Sequence, residues 1–359
     1  MRINSLTLKN FRNIENINLS PNKEMNVIFG ENAQGKTNLI EGMWLLTGAK
    51  SFRGAREDEL KKFGCDRALI FAEFESEQIE KSIKIEINDK RRVFLNKKSL
   101  KTASKLAGHL NAIVFCPDDL KILSDGPSIR RKFLDTAICQ LYPAYIEILK
   151  AYNRAVIQRN KVIKEARIYP EIEDMLEVFE KEIAEKGEKI IKYRERYIEI
   201  LKEISPNIYK GISEGTENLE IEYVKSFKDG SLKENLKLAR RADMFSAKTS
   251  VGPHRDDLKF KINGCDAKNF GSQGQKRSVA LTLKLSEAEI IKKNTGESPI
   301  CLLDDIMSEL DPKRQNYILN HIKGMQTFLS CCDPQNVKNL KEGTKIKIEK
   351  GEIVECTSI

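Results

Sequence analysis

Over the first 120 residues apolar positions recur in short runs. Ile3, Leu6 and Leu8, then Ile14, Ile17 and Leu19, flank the polar residues 9–13 and predict a pair of strands. Met25, Val27 and Ile28 form a third run that gives way to a polar, glycine-bearing loop. Ile40, Met43, Trp44 and Leu45 then follow at helical spacing. Leu69, Phe71 and Phe74, the alternating residues 82–87, and residues 92–95, with turns at Asn88-Asp89 and Asn96-Lys97, predict antiparallel hairpins. Residues 112–115 are wholly apolar and fit a buried strand.

The period then changes. From about residue 123 to 210 helical spacing dominates, as in Phe133, Ala137 and Leu141, or Ile190, Tyr197, Leu201 and Ile204, with Pro170 and Pro206 as expected breaks. No heptad persists long enough for a coiled coil, so this stretch predicts a compact helical arm. A strand at Leu219, Ile221 and Tyr223 and a helix over residues 233–245 close it. Beyond it the pattern predicts a strand at Leu258, Phe260 and Ile262, a helix over 279–291, a buried strand at 300–303, a helix through Tyr317, Ile318 and His321, a strand at 327–329 and a terminal hairpin around Lys350-Gly351.

The loop after the third apolar run reads Gly30-Glu31-Asn32-Ala33-Gln34-Gly35-Lys36-Thr37. This G-x-x-x-x-G-K-T spacing, strand before and helix after, predicts a phosphate cradle in which both glycines free the backbone so that successive N–H groups converge on one anion. Lys36 would reach the β- and γ-phosphates of a nucleotide and the Thr37 hydroxyl would ligand Mg²⁺, with the helix N-terminus adding to the attraction. Far along the chain, Ser272-Gln273-Gly274-Gln275 opens another helix with chemistry that suits an anion, and N–H donors there go unused unless one arrives. The buried run 300–303 ends in Asp304-Asp305, where an α/β nucleotide site places a metal-linked acid, Asp304, and a water-polarising base, Asp305; a plain helix cap is the bland alternative.

Other features divide between function and ordinary structure. Arg12 and Asn13 lie either near the nucleotide or in a solvent turn, and the loop 48–56, with Lys50, Arg53 and Arg56, can touch phosphate. His254 is either catalytic or a residue satisfying loop hydrogen bonds, and the second reading is favoured. The cations Lys90, Arg91, Arg92, Lys97, Lys98, Lys101 and Lys105 have only Asp89 nearby, so this stretch is the best candidate for a patch that contacts a polyanion's phosphate backbone, against the commoner reading of a solvated face.

The formal charge of +9, from 62 Lys+Arg against 53 Asp+Glu, suits a polyanionic partner as well as simple solubility. Apolar runs are too short for a membrane span and residues 1–4 lack a signal-peptide core, which predicts a cytoplasmic location and no membrane partner. Eight cysteines without a C-x-x-C pair predict free thiols.

A phosphate loop, a distant serine-glycine signature, a two-acid strand end and the following Ser308-Glu309-Leu310-Asp311, in that order, resemble the ABC-type ATPase heads of transporters, SMC proteins and RecF. Leu8-Lys9-Asn10-Phe11-Arg12-Asn13, Pro117-Asp118-Asp119-Leu120 through Asp135, and Gly252-Pro253-His254-Arg255-Asp256-Asp257 are similar to RecF family motifs and run nearly end to end. The resemblance implies an α/β fold: an ABC-type ATPase head, with a parallel core and an antiparallel β-subdomain, in residues 1–122 and 247–359, and an inserted, mainly helical arm in 123–246. It implies a slow, DNA-stimulated ATPase of recombinational repair that binds DNA at gaps or single-strand–duplex junctions. It further implies cooperation with RecO and RecR in loading RecA, and a homodimer in which two heads sandwich ATP, Ser272 and Gly274 of one copy meeting the nucleotide on Lys36 of the other.

Asp305 stands where many relatives outside RecF carry the longer Glu, which suits slow turnover. A γ-phosphate sensor near Ser330-Cys331 would be a hydroxyl, and no glutamine is identified as a Q-loop residue. An SMC-like DNA tether is the alternative, disfavoured because the stretch between Lys36 and Ser272 has no room for a long coiled coil. A transporter motor is less favoured still, because the charged arm shows no apolar docking groove.

Overall fold

The computed structural model describes residues 1–166, 168–169, 171, 173–333 and 342–358. Pro170, expected as a break, lies outside them. The chain divides into two compact units. Unit 1 is Met1–Lys121, Asn207–Thr216 and Arg277–Ile359, and unit 2 is Ile122–Pro206 and Glu217–Lys276.

Unit 1 holds two six-stranded sheets. The first is antiparallel, ordered β2 (Ile14–Leu19), β1 (Arg2–Phe11), β4 (Ala68–Ser76), β5 (Ile79–Ile87), β6 (Arg91–Leu95) and β7 (Lys98–Leu100). Its inner positions, among them Leu6, Leu8, Ile70, Ile85 and Val93, are buried while their neighbours along each strand are more open, the alternation of a one-sided sheet. The second is ordered β15 (Glu352–Ser358), β14 (Thr344–Glu349), β3 (Met25–Phe29), β13 (Thr327–Cys331), β12 (Ile300–Asp304) and β8 (Ala112–Phe115), all neighbours parallel except the β14–β15 hairpin. Every residue of β8, β12 and β13 is buried, as parallel strands require, which is why residues 112–115 and 300–303 read as unbroken apolar runs, while β13 keeps Thr327 and Ser330 within its buried span. Helix α1 (Lys36–Leu45) contributes Leu39, Ile40, Met43 and Trp44 to one apolar core with both sheets. The terminal hairpin is more than a hairpin, because β14 extends the parallel sheet with Ile346 opposite Ile28.

Unit 2 contains α2 (Pro127–Leu141), α3 (Pro143–Glu165), α5 (Leu232–Ser246), α6 (Ala267–Phe270) and a three-stranded antiparallel sheet, β11 (Cys265–Asp266), β10 (Asp257–Ile262) and β9 (Leu219–Val224). Its core is held partly by charge. Arg159, with no exposure, pairs with Glu180 at 2.9 Å and Asp243 at 2.6 Å, and Arg194 reaches Asp135 at 2.8 Å and the Pro253 carbonyl at 2.6 Å. Removing one partner of such a pair would cost about 3–5 kcal/mol.

Two expectations differ from these observations. Pro206 does not end a helix; it sits inside α4 (Met175–Ile212), where it removes one backbone hydrogen bond from a 38-residue helix whose other turns continue on both sides. Residues 247–276, expected with the head, fall in unit 2, since β10 pairs with β9 along its whole length. Helix α7 (Gln273–Thr295) begins in unit 2 and continues in unit 1, and α8 (Pro312–His321) lies in unit 1.

Candidate nucleotide site

Parallel pairing assembles the site in unit 1. The register sets Phe29 beside Cys331 and Asp304 beside Ser330, so the ends of β3, β13 and β12 open at one edge of the sheet. From that edge the loop 30–35 turns into α1. Gly30 and Gly35 have φ of 148° and 115°, and Ala33 is also left-handed at 63°. Close approach adds to the need for glycine: a Cβ on Gly30 would lie 2.3 Å from the Ile348 carbonyl oxygen, and one on Gly35 2.9 Å from Asn13 Oδ1.

The loop is supported from outside. The Lys350 N–H donates to Gln34 Oε1 at 2.5 Å and the Gly351 N–H to the Gln34 carbonyl at 2.9 Å, which seats the loop on the β14–β15 turn. Asn13 donates to the Ala33 carbonyl at 3.2 Å and accepts from Asn38 at 2.7 Å. Asn13 thus lies against the loop, as one of its two readings expects, whereas the Arg12 guanidinium is committed to fully buried Glu41 at 2.9 Å. Ser51 also donates to Glu41, which anchors the 48–56 loop, and Arg53 reaches Asn38 Oδ1 at 2.9 Å.

Lys36 is buried and turned into its own loop, where Nζ donates to the carbonyls of Gly30 at 2.7 Å and Glu31 at 2.8 Å. Asp304 is also buried. Its Oδ1 accepts from Thr37 Oγ1 at 2.9 Å and from Ser330 Oγ at 2.8 Å. Burial pushes its pKa up, and the two hydroxyls offset part of that rise. The Asp305 N–H donates to Ser330 Oγ at 2.9 Å, and φ of 52° sets its backbone left-handed. Burial raises the Asp305 carboxyl too, against the nearby charge of Lys36. A hydroxyl and a carboxylate beside a phosphate cradle are hard oxygen donors of the kind Mg²⁺ takes.

Ser330 does not stand free as a sensor; its hydroxyl links the two acids. The side chain from this segment that reaches the loop is Cys332, whose Sγ is 3.1 Å from Asn32 Oδ1 and 3.9 Å from Lys36 Nζ. Neither Glu41 nor Cys332 was singled out by pattern, because nothing local marks a helix glutamate or a thiol as part of this site.

Ser272–Gln275 belong to unit 2. There the Ser272 N–H donates to Gln275 Oε1 at 2.8 Å and the Gln275 N–H to Ser272 Oγ at 3.2 Å, a reciprocal capping box. Gln275 Nε2 also donates to Glu217 at 2.6 Å. The expectation that donors here go unused without an anion is therefore corrected: side chains already satisfy two of them. His254 bonds to Tyr152 Oη at 2.6 Å and the Thr249 carbonyl at 3.0 Å, and burial pushes its pKa down to about 4. It is the loop-satisfying histidine.

The RecF/RecN/SMC N terminal domain family matches residues 2–355. A protein of Agathobacter rectalis named DNA replication and repair protein RecF is 40% identical over 357 residues, covering 98% of this chain and 99% of its own. The chain belongs to the RecF family. Its fold is the ATP-binding ABC/SMC-type ATPase fold of that DNA replication and repair family. Two solved structures of the recombination mediator protein RecF in the RecFOR pathway are also similar. The one described as RecF-ATPrS has a TM-score of 0.91, is 36% identical, and covers 98% of this chain and 97% of its own. The RecF-ATP structure has a TM-score of 0.89 at 36% identity, covering 100% and 97%.

Proposed function

We propose that this RecF family member is an ATP-dependent DNA-binding protein of recombinational repair, acting in the cytoplasm as a dimer that closes around ATP. The observation that carries the reading is the Lys36–Thr37–Asp304–Ser330 constellation, four side chains from three distant segments gathered beside a glycine-gated loop.

Lys36 exchanges its two carbonyl partners for phosphate oxygens, and the loop N–H groups with the start of α1 hold the same anion. Thr37 and Asp304 would hold Mg²⁺, which supplies charge neutralisation to the phosphates when bound. Asp305, near enough to Lys36 for their charges to interact, orients and polarises the attacking water. Its carboxylate sits one methylene closer to the backbone than a glutamate's, which favours slow turnover and a nucleotide that times assembly. Ser272 and Gly274 of a second copy complete the cradle. Binding to gapped or junction DNA, DNA-stimulated hydrolysis and cooperation with RecO and RecR in loading RecA extend the RecFOR role described for the similar RecF structures.

Sedimentation of the full chain with and without ATP·Mg²⁺, and with gapped or duplex DNA, tests the reading. A nucleotide-dependent dimer that binds DNA is expected. A monomer under every condition refutes it.

A further inference from the structure

The outer face of the antiparallel sheet in unit 1 carries a pattern that no single strand displays. Because inner positions such as Leu8, Ile70, Ile85 and Val93 fill the core, the pleat puts the intervening residues outside. The register then sets Thr7 opposite Phe71, Phe71 opposite Lys84, Lys84 opposite Phe94 and Phe94 opposite Ser99, a row across five strands. A parallel row runs through Lys9, Leu69, Glu86 and Arg92. Phe71 and Phe94 are half-buried and stand two strand spacings, about 10 Å, apart.

The charges on this face are unevenly committed. Lys84 Nζ lies 4.3 Å from the Phe94 ring centroid and 2.8 Å from Glu86, and Glu73 accepts from the Ser5 hydroxyl at 2.8 Å. At the β6–β7 edge, Lys90, Arg92, Lys97, Lys98, Lys101 and Lys105 are exposed, and none makes an ion pair among the described residues. Of the four acids on this face, Glu86 and Glu73 are engaged, and Glu75 and Glu80 stand opposite each other at the far end of β4 and β5, away from the β6–β7 edge, so it is that edge, with its unpaired cations, that favours a polyanion. A duplex hides its base faces, whereas a single strand offers each ring a base and each cation a phosphate.

We infer that this face, from Phe71 through Lys84 and Phe94 to the β6–β7 edge, is a platform for single-stranded DNA. The inference rests on the proposed DNA binding and specifies the surface that takes the single-stranded part.

Fluorescence anisotropy of the full chain with ATP tests it, using a labelled oligothymidine and a duplex of equal length. The pair Phe71→Leu and Phe94→Leu should weaken oligothymidine binding about tenfold or more while leaving duplex affinity unchanged. Phe71→Tyr with Phe94→Tyr keeps both rings and should restore it. Arg92→Gln, Lys97→Gln and Lys98→Gln together should weaken binding and flatten its salt dependence. ATP-dependent solution mass should be unchanged throughout. If wild type binds oligothymidine and the leucine pair binds it equally well, or the tyrosine pair fails to restore it, this surface is wrong while the proposed function stands. If wild type binds neither oligonucleotide in any nucleotide state, the proposed function falls and takes this inference with it.

Discussion

Two helices of this protein begin at polar loops containing glycine, and they treat their first N–H groups in opposite ways. Helix α1 follows Gly35 with no side-chain cap and no acid in its first turn. Its loop is held from behind by Asn13, the Lys350-Gly351 turn and the Ile348 backbone. Helix α7 follows Ser272, which is closed on Gln275 in a capping box of the kind worth about 1 kcal/mol. The first start is preorganised by supports outside it, so its dipole stays open to an anion. The second must give up a hydrogen bond to take one. Nucleotide affinity should therefore reside at α1, while in the proposed dimer α7 would contribute only when a partner copy supplies the phosphate.

The largest expected effect tests the first half of that contrast. Lys36→Ala should weaken ATP binding by at least about 100-fold in calorimetry, since it removes a charge-assisted donor from a buried site. A loss under about threefold would break the comparison. Ser272→Arg should leave monomer ATP affinity within about twofold yet abolish the ATP-dependent dimer in sedimentation; a dimer that persists would remove α7 from the site.

Asp304 and His254 extend the contrast to buried titratable groups. Burial raises Asp304, so its charged form is a liability until a cation arrives. Asp304→Asn should raise the melting temperature of the nucleotide-free protein by a few degrees and eliminate the further rise with ATP·Mg²⁺. His254 has the opposite sign in effect. Its folded pKa of about 4 lies below the ordinary 6.5, so the unfolded chain binds more protons between those values. Stability is fully present above about pH 6.5 and should fall by up to about 3 kcal/mol as pH drops through 4, read by denaturant titration at several pH values. A chain in which His254→Asn leaves that acid slope unchanged would contradict the assignment. The smallest effect, about 1 kcal/mol of stability lost in Ser272→Ala, measures the cap itself.

Much of the site was legible because its signals are local. Gly30, Gly35, Lys36 and Thr37 are tied by a spacing that one turn of backbone enforces, and Asp304 ends an apolar run whose burial on both faces leaves no polar interruption. Arg12 was harder to place, because its partner Glu41 is 29 positions away and looks like any helix glutamate. Pro206 misled because proline usually ends a helix, while in α4 the remaining turns tolerate it. The serine-glycine signature was found, but its self-capped state is a matter of side-chain geometry that spacing does not report.

By itself the sequence determined the elements and the chemistry each end can offer, since periodicity, glycine placement and strand-end acids act over a few residues. Only the tertiary structure decided which ends meet. Parallel register brings Asp304 and Ser330 to Thr37, and antiparallel register sets Phe71, Lys84 and Phe94 in one row. Such neighbours are fixed by strand order and pairing between distant segments, and no local pattern encodes them.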